Sequence, residues 1–315
     1  MRKLVGVALA AGLLASLAAC SSTPTPYASC TSTGNATLVT AAGALGADPQ
    51  ATFPTPLVAK NAELSILVKG DGRQVTPDEG VQLTLSIYDA ATGAAIQTKS
   101  GGPLTGLGVR LFVTDGAFPF TAAMSCATEG SRVISTGTAE QLFGSDAIGL
   151  DPKSSLVVVS DITSAFLGKA NGADQIPQAG YPAVVLAPNG RPGITFPAGP
   201  IPGGLGAVAL KQGNGTVVKE GDRVIANMTG VVWGAKKTFL STWDSNAPSS
   251  LTAQEIAPDG TGLPAGLAKA VIGQKVGSQL LVVVSGADSY PAGQAPTGVA
   301  DGDTLVFVFD ILGIG

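Results

Sequence analysis

"GLPAGLAKAVIGQKVGSQLLVVV", residues 262–284, passes from a helical pattern to an extended one within a single turn of chain. Leu263, Leu267 and Val271 recur every four residues and so share one helix face, while Pro264 fits a first-turn position, where its missing N–H has no partner to lose. This is the one clear helical signal in the sequence. Upstream, "GDRVIANMTGVVW" (221–233) alternates Val224, Ala226 and Met228 against Ile225 and Asn227, the period of a strand. Val81, Leu83, Leu85 and Ile87 alternate in the same way with Gln82, Thr84 and Ser86. Downstream, "TLVFVFDIL" is a continuous apolar run of the kind a central strand carries. With 43 Gly and 21 Pro in 315 residues, strands joined by turns dominate. The simplest architecture is α+β, mainly β: one short helix packed on a strongly curved antiparallel sheet.

The pattern occurs twice. "KGDGRQVTPDEGV" (69–81) parallels "QGNGTVVKEGDRV" (212–224), "CATEGSRVI" (126–134) parallels "IGQKVGSQLL" (272–281), and "SSLVVVSDI" (154–162) parallels "DTLVFVFDI" (303–311). Three matches in one order at nearly constant offset imply two copies of one domain, and the period is far too long for a solenoid. The expected organisation is a first domain over 51–168, a Pro/Gly-rich linker over 169–204 and a second domain over 205–315. Inside the linker, "AVVLAPNGRPGITF" has two apolar runs about Asn189-Gly190, which predicts a hairpin leading the second domain.

Composition removes several function classes. There is no histidine, which excludes a Ser-His-Asp triad, His-ligated zinc and an imidazole general base. A net charge of −4 with 13% charged residues leaves no basic footprint for nucleic acid. The length suits two domains of ordinary size, each able to bury a core.

At the N-terminus, Arg2 and Lys3 precede the apolar run "LVGVALAAGLLASL" and then "LAAC", residues 17–20. A charged start, a short apolar segment and small residues before a cut site describe an export signal. The run falls short of the ~20 residues that cross a bilayer. "LAAC" resembles the bacterial lipobox, in which Cys20 is acylated and becomes the first mature residue, so 1–20 reads as a lipoprotein signal. Residues 21–50 follow as an expected flexible tether, beginning with the Ser/Thr/Pro-rich "SSTPTPYASCTSTG" (21–34). Lipidation of Cys20 leaves Cys30 and Cys126, an even pair in an oxidising compartment and a candidate disulfide. Closing a loop of about 95 residues, it contributes a few kcal/mol in the chain-entropy model.

The ordered set "GDxVxxxxTG", "TFLST", "GLAKAVIGQKVGSQLLVVV", "DSYPAG" and "DTLVFVFDIL" resembles the FKBP-type peptidyl-prolyl cis-trans isomerases, well over 207–315 and weakly over 57–165. With the lipobox, the chain is similar to the tandem FKBP-type lipoproteins of actinobacteria. The resemblance implies two FKBP-like domains, each a five- or six-stranded sheet around a short helix with a shallow apolar pocket. It implies rotation about X-Pro bonds without cofactor or metal. Phe239, Tyr290 and Phe307 match the family's catalytic aromatics. Val299 matches an apolar rim position, and Leu263 and Pro264 match the apolar pair before the helix. Met228, Leu240 and Leu267 also fall in the substrate pocket, where the family usually has Tyr, Asp and an aromatic; Ser245 stands where Arg is common. Met, Leu and Ser together replace a buried polar cluster, and replacing partners jointly by apolar groups can be nearly neutral for folding. The first copy has Leu85, Ile96, Gln97, Phe120, Phe143 and Val158 at the matching positions. It reads as structural or peptide-holding, with Phe120 and Phe143 lining a small cleft.

The expected function is an isomerase of exported proteins, held by lipid on the outer face of the cytoplasmic membrane, with proline-containing clients and the second domain as catalyst. A non-catalytic peptide-binding lipoprotein is the alternative. Radiolabelled palmitate is expected to enter the chain and Cys20→Ala to abolish the label; labelling that survives in the variant refutes the lipobox reading.

Overall fold

In the computed structural model, which describes residues 30–97, 102–113, 118–145, 147–201, 203, 206–245 and 247–315, both copies fold around antiparallel sheets. The signal segment, Cys20 and the start of the tether lie outside the described residues. The first unit runs β1 (Thr40–Ala42), β2 (Gln50–Thr52), β3 (Glu63–Val68), β4 (Gly80–Asp89), β5 (Leu107–Phe112), β6 (Arg132–Thr138), α1 (Ala139–Phe143) and β7 (Ser155–Phe166). The chain continues through β8 (Ala173–Asp174) and the hairpin β9 (Ala183–Leu186) and β10 (Pro192–Thr195). The second unit follows as β11 (Ala207–Gln212), β12 (Arg223–Val232), β13 (Lys237–Ser241), β14 (Ser249–Thr252), α2 (Ala265–Val271), β15 (Gln279–Val284) and β16 (Leu305–Ile314).

The first sheet has the order β3-β6-β7-β4-β5. The second repeats it as β11-β15-β16-β12, with both β13 and β14 on the far side of β12 and β8 added beyond β11. Its seven strands exceed the five or six expected, because short β8 comes from the linker. The quoted repeats become one hydrogen-bonded corner in each unit. Ser131 Oγ accepts from Gly70 N and Ser278 Oγ from Gly213 N, each at 2.9 Å. Gly130 N donates to the Ile162 carbonyl and Gly277 N to that of Ile311, each at 2.8 Å. Sequence similarity here is similarity of backbone pairing.

Each sheet is apolar on both faces, as the continuous runs in β7 and β16 require. On the concave face of the second sheet, α2 packs Leu267, Ala268 and Val271 against Val224, Leu280 and Phe309. Pro264 is the N-cap rather than a first-turn residue, and its carbonyl accepts from Leu267 N and Ala268 N at 2.8 and 2.9 Å. In the first copy the matching stretch is a 3-10 helix, Pro119–Cys126. The short α1 was not foreseen, although Thr138 and Gln141 form a complete capping box: Thr138 Oγ1 accepts from Gln141 N, and Gln141 Oε1 from Thr138 N.

The outer faces are covered by chain that precedes each sheet. Residues 34–50, expected to be part of the tether, form a 3-10 turn and, with Ala51 and Thr52, the β1–β2 hairpin. Ala36, Val39 and Leu57 pack on Ile134, Val157 and Val159 of the first sheet. On the second sheet the linker does this work, with Tyr181, Val184, Ile194 and Phe196 against Leu281, Val306, Val308 and Trp233. The linker hairpin turns as the Asn-Gly pair predicts, Gly190 adopting φ +99°, where a Cβ would also strike Trp243. The two units meet at Phe166, Ile225 and Leu312, where Leu167 N donates to the Leu312 carbonyl at 3.0 Å.

Two equivalent carboxylates anchor these covers. Arg132 and Asp161 face each other across β6 and β7, and Gln279 and Asp310 across β15 and β16. Asp161 accepts from Arg132 Nε and Nη2 at 2.6 and 2.7 Å and from Gly46 N at 2.8 Å. The same guanidinium donates to the carbonyls of Ala41, Gly43 and Ala44, so one buried ion pair holds the N-terminal arm. Asp310 accepts from Gln279 Nε2 at 2.7 Å and from Ala170 N, in the linker, at 3.0 Å. A Cys30–Cys126 disulfide, Cα atoms 5.2 Å apart, ties the start of the arm to the first unit.

Asp161→Ala is expected to lower stability by ~3–5 kcal/mol in denaturant melts, because it leaves the buried Arg132 charge uncompensated, and Asp161→Leu with Arg132→Met to recover much of that loss. Burial pushes the Asp310 carboxyl up to about 6 despite its two hydrogen-bond donors. Its folded-state value lies above the unfolded one, so the fold binds the extra proton and this group favours folding as pH falls through about 6. The thermal midpoint of the wild type, relative to Asp310→Asn, should therefore rise between about pH 8 and about pH 5.

Candidate functional site

The site residues expected in the second domain converge on the concave face. Met228 on β12, Leu263 before α2, Leu267 on α2 and Phe307 on β16 are buried in one cluster. Phe239 and Leu240 from β13, with Tyr290 and Val299 from the loops between β15 and β16, complete it as partly exposed members. The alternation in β12 explains why Met228 points inward beside Ala226 and Val224. Pro264 is buried at the helix start. Ser245 is not brought in: it is exposed, and its hydroxyl donates to the Thr242 carbonyl at 3.2 Å.

Phe239 and Phe307 meet edge to face, centroids 5.8 Å apart and planes at 87°, a favoured geometry for aromatic quadrupoles. The contact needs a residue that was not singled out as a site residue. Gly230 pairs with Phe307 across β12 and β16, and a Cβ on it would lie 2.6 Å from the Phe239 ring. The missing side chain is the space in which the ring lies. The Thr-Gly pair in "GDxVxxxxTG" was the available signal.

Polar groups are few, and most are already engaged. Leu263 N donates to the Gln254 carbonyl at 2.9 Å, and Pro264 has no N–H, so neither offers a backbone donor at the entrance to α2. Between β13 and β14, Thr242 Oγ1 accepts from Met228 N at 3.0 Å and donates to Asn227 Oδ1 at 2.9 Å. Asn227 and Thr242 thereby satisfy the β12 backbone where the strand partner is interrupted. The Tyr290 hydroxyl has no hydrogen-bond partner among the described residues, and burial pushes its pKa up, so it is a neutral donor. Tyr290 and Val299 also line a pocket of about 250 Å³ in the loops preceding β16, together with Ser289 and Asp301. What this arrangement can do is hold an apolar group against two aromatic rings and offer it one phenolic hydrogen bond. Among the described residues no cluster of His, Cys, Asp and Glu could hold a metal ion.

In the first unit, Leu85, Ile96, Gln97, Phe120 and Phe143 line one cavity of about 400 Å³. Val158 belongs to the core cluster beneath and is not part of the lining.

Comparison with known proteins follows this division. Residues 215–312 match the family model described as FKBP-type peptidyl-prolyl cis-trans isomerase. An FK506-binding protein of Streptomyces anulatus is 27% identical over 127 residues, 39% of this chain and 97% of its own length. Among solved structures, the three FKBP domains of wheat FKBP73 align at 18% identity, covering 81% of this chain and 94% of that one, with a TM-score of 0.32. FkpA from Escherichia coli aligns at 20% identity over 44% of this chain and 52% of its own, with a TM-score of 0.31.

Proposed function

Because residues 215–312 belong to the FKBP-type peptidyl-prolyl cis-trans isomerases, we propose that the second domain catalyses rotation about X-Pro bonds in exported client proteins, from a lipid anchor on the outer face of the cytoplasmic membrane. The observation that carries this reading is the convergence of Phe239, Phe307, Met228 and Leu267 in one apolar cluster with Tyr290, whose hydroxyl has no partner among the described residues. The barrier to X-Pro rotation is the resonance of the amide, ~18–20 kcal/mol. That resonance places charge on the amide oxygen, which water stabilises. An apolar surface that displaces the water weakens the resonance, and a ring-shaped cleft that holds the twisted prolyl conformer favours the transition state over either planar form. Tyr290 is placed to donate to a substrate carbonyl as the amide turns. No proton transfer or nucleophile is needed, in keeping with a chain that has no histidine.

Export and anchoring are supported by the signal pattern ending in Cys20 and by the Cys30–Cys126 disulfide, which belongs to an oxidising compartment. The partners are proline-containing segments of unfolded exported proteins. A second reading, a binding module without turnover, is favoured by the shortage of polar groups in the site: Leu263 N is already bonded, Pro264 has no N–H, and Met228 and Leu240 bring no polar group beside Tyr290.

A protease-coupled assay with short Xaa-Pro peptides separates the two. Wild type is expected to accelerate exchange, and Tyr290→Phe to lower kcat/KM by about 3- to 10-fold, the loss of one hydrogen bond worth ~1 kcal/mol. Met228→Tyr with Leu240→Asp is expected to raise the rate beyond the sum of the single changes, since a lone buried Asp stays protonated without the Tyr partner. No wild-type acceleration, with activity appearing only in the double variant, makes this chain a binder descended from an enzyme.

A further inference from the structure

We propose that the first domain carries a separate binding site for an uncharged, hydrocarbon-rich small molecule. The cavity of about 400 Å³ on its concave face lies within the size range of small-molecule sites. Its floor is Leu85 and Ile87 of β4 with the rings of Phe120 and Phe143, all buried. Leu107, Val109 and Leu111, alternate residues of the edge strand β5, form one wall and are partly exposed. Ile96, Leu104, Phe118, Ile148 and Leu150 surround the opening and are also partly exposed. So many large apolar side chains left in reach of water around one opening mark a binding surface rather than ordinary surface scatter.

The floor is preformed. Phe120 and Phe143 have ring centroids 5.2 Å apart, and Phe118 stands edge-on to Phe143 at 6.4 Å. Three mutually packed rings cannot collapse into the cavity without losing those contacts. At the mouth, Ile148 holds φ +49° and ψ +30°, a left-handed conformation that is strained for a β-branched residue. Strain of this kind persists where surrounding structure maintains it, and it gathers at ligand sites.

The lining selects the ligand's chemistry by charge complementarity. Among the described residues Gln97 is the only lining side chain with a hydrogen-bonding group, and its Nε2 donates to the Ala95 carbonyl at 3.3 Å. Among the described residues no charged side chain lines the cavity. A prolyl amide placed inside would lose its water and find, among the described lining side chains, only the exposed Gln97 amide in return, whereas an aliphatic chain or fused ring gives up nothing polar. This separates the first cavity from the second-domain site, which has Tyr290 where the first copy has Phe143, and Phe239 where it has the smaller Ile96. The ligand is therefore a free apolar molecule or the hydrocarbon tail of a lipid, not the amide of a client. The proposal does not depend on turnover in the second domain.

The test is a fluorescence titration of the full chain with N-phenyl-1-naphthylamine, a neutral probe that brightens in apolar sites. Saturable binding is expected, displaced by dodecanol and not by a succinyl-Ala-Ala-Pro-Phe peptide. Leu107→Trp and, independently, Ile96→Trp fill the opening and are expected to weaken the probe at least tenfold while X-Pro isomerisation stays at the wild-type rate. Circular dichroism of each variant shows that it is folded; Val109→Phe replaces either one that is not. Displacement by phosphatidylcholine vesicles as well as by dodecanol identifies a lipid tail, and displacement by dodecanol alone a free apolar molecule. Absence of saturable binding, binding unchanged in the filled variants, or displacement by the prolyl peptide overturns the proposal.

Discussion

Each sheet is built on a carboxylate buried on the face turned away from the helix, Asp161 in one unit and Asp310 in the other. A buried carboxylate must be hydrogen-bonded or paired, and both obtain part of that pairing from chain that precedes the sheet. Gly46 N serves Asp161 and Ala170 N serves Asp310. The requirement therefore fixes where the arm and the linker run, and with them the apolar side chains that cover each outer face. Without those covers, Val157 and Val159 in the first sheet, and Val306 and Val308 in the second, would face water.

The two anchors differ in their partners. Arg132 neutralises Asp161 and still has donors for three arm carbonyls, whereas the amide of Gln279 can only hydrogen-bond. Asp310 is accordingly the carboxyl that burial lifts to about 6. An amide partner makes the attachment of the linker responsive to mild acid.

Divergence on the concave faces follows another rule: a polar cluster in a low-dielectric site is kept whole or lost whole. In the second domain Met228, Leu240 and the Phe239–Phe307 pair pack in one apolar cluster with Tyr290, whose hydroxyl is without a partner among the described residues. In the first, smaller aliphatic residues and three packed phenylalanines leave an open cavity without that hydroxyl. One sheet order thus supports a site suited to turning an amide and another suited to hydrocarbon.

Much of this was legible in the sequence because it rests on short-range pattern. Alternation marked β12 and β4, the four-residue spacing marked α2, and the matched segments disclosed the repeat, since each encodes the same local backbone pairing. The inward-facing set of Met228, Phe239, Leu267 and Phe307 followed from period and resemblance, and the Cys30–Cys126 pair from cysteine count. Other features depend on partners far away along the chain. The Ala/Gly-rich residues of 34–46 look like tether until Arg132, some 90 positions on, supplies donors for their carbonyls. Gly230 looks like a turn residue until the Phe239 ring occupies the volume its side chain would need. Nor could the first cavity be read from residue types alone, because Leu and Phe are as much at home in a filled core; only the tertiary spacing of β4, β5 and the 3-10 helix leaves room between them.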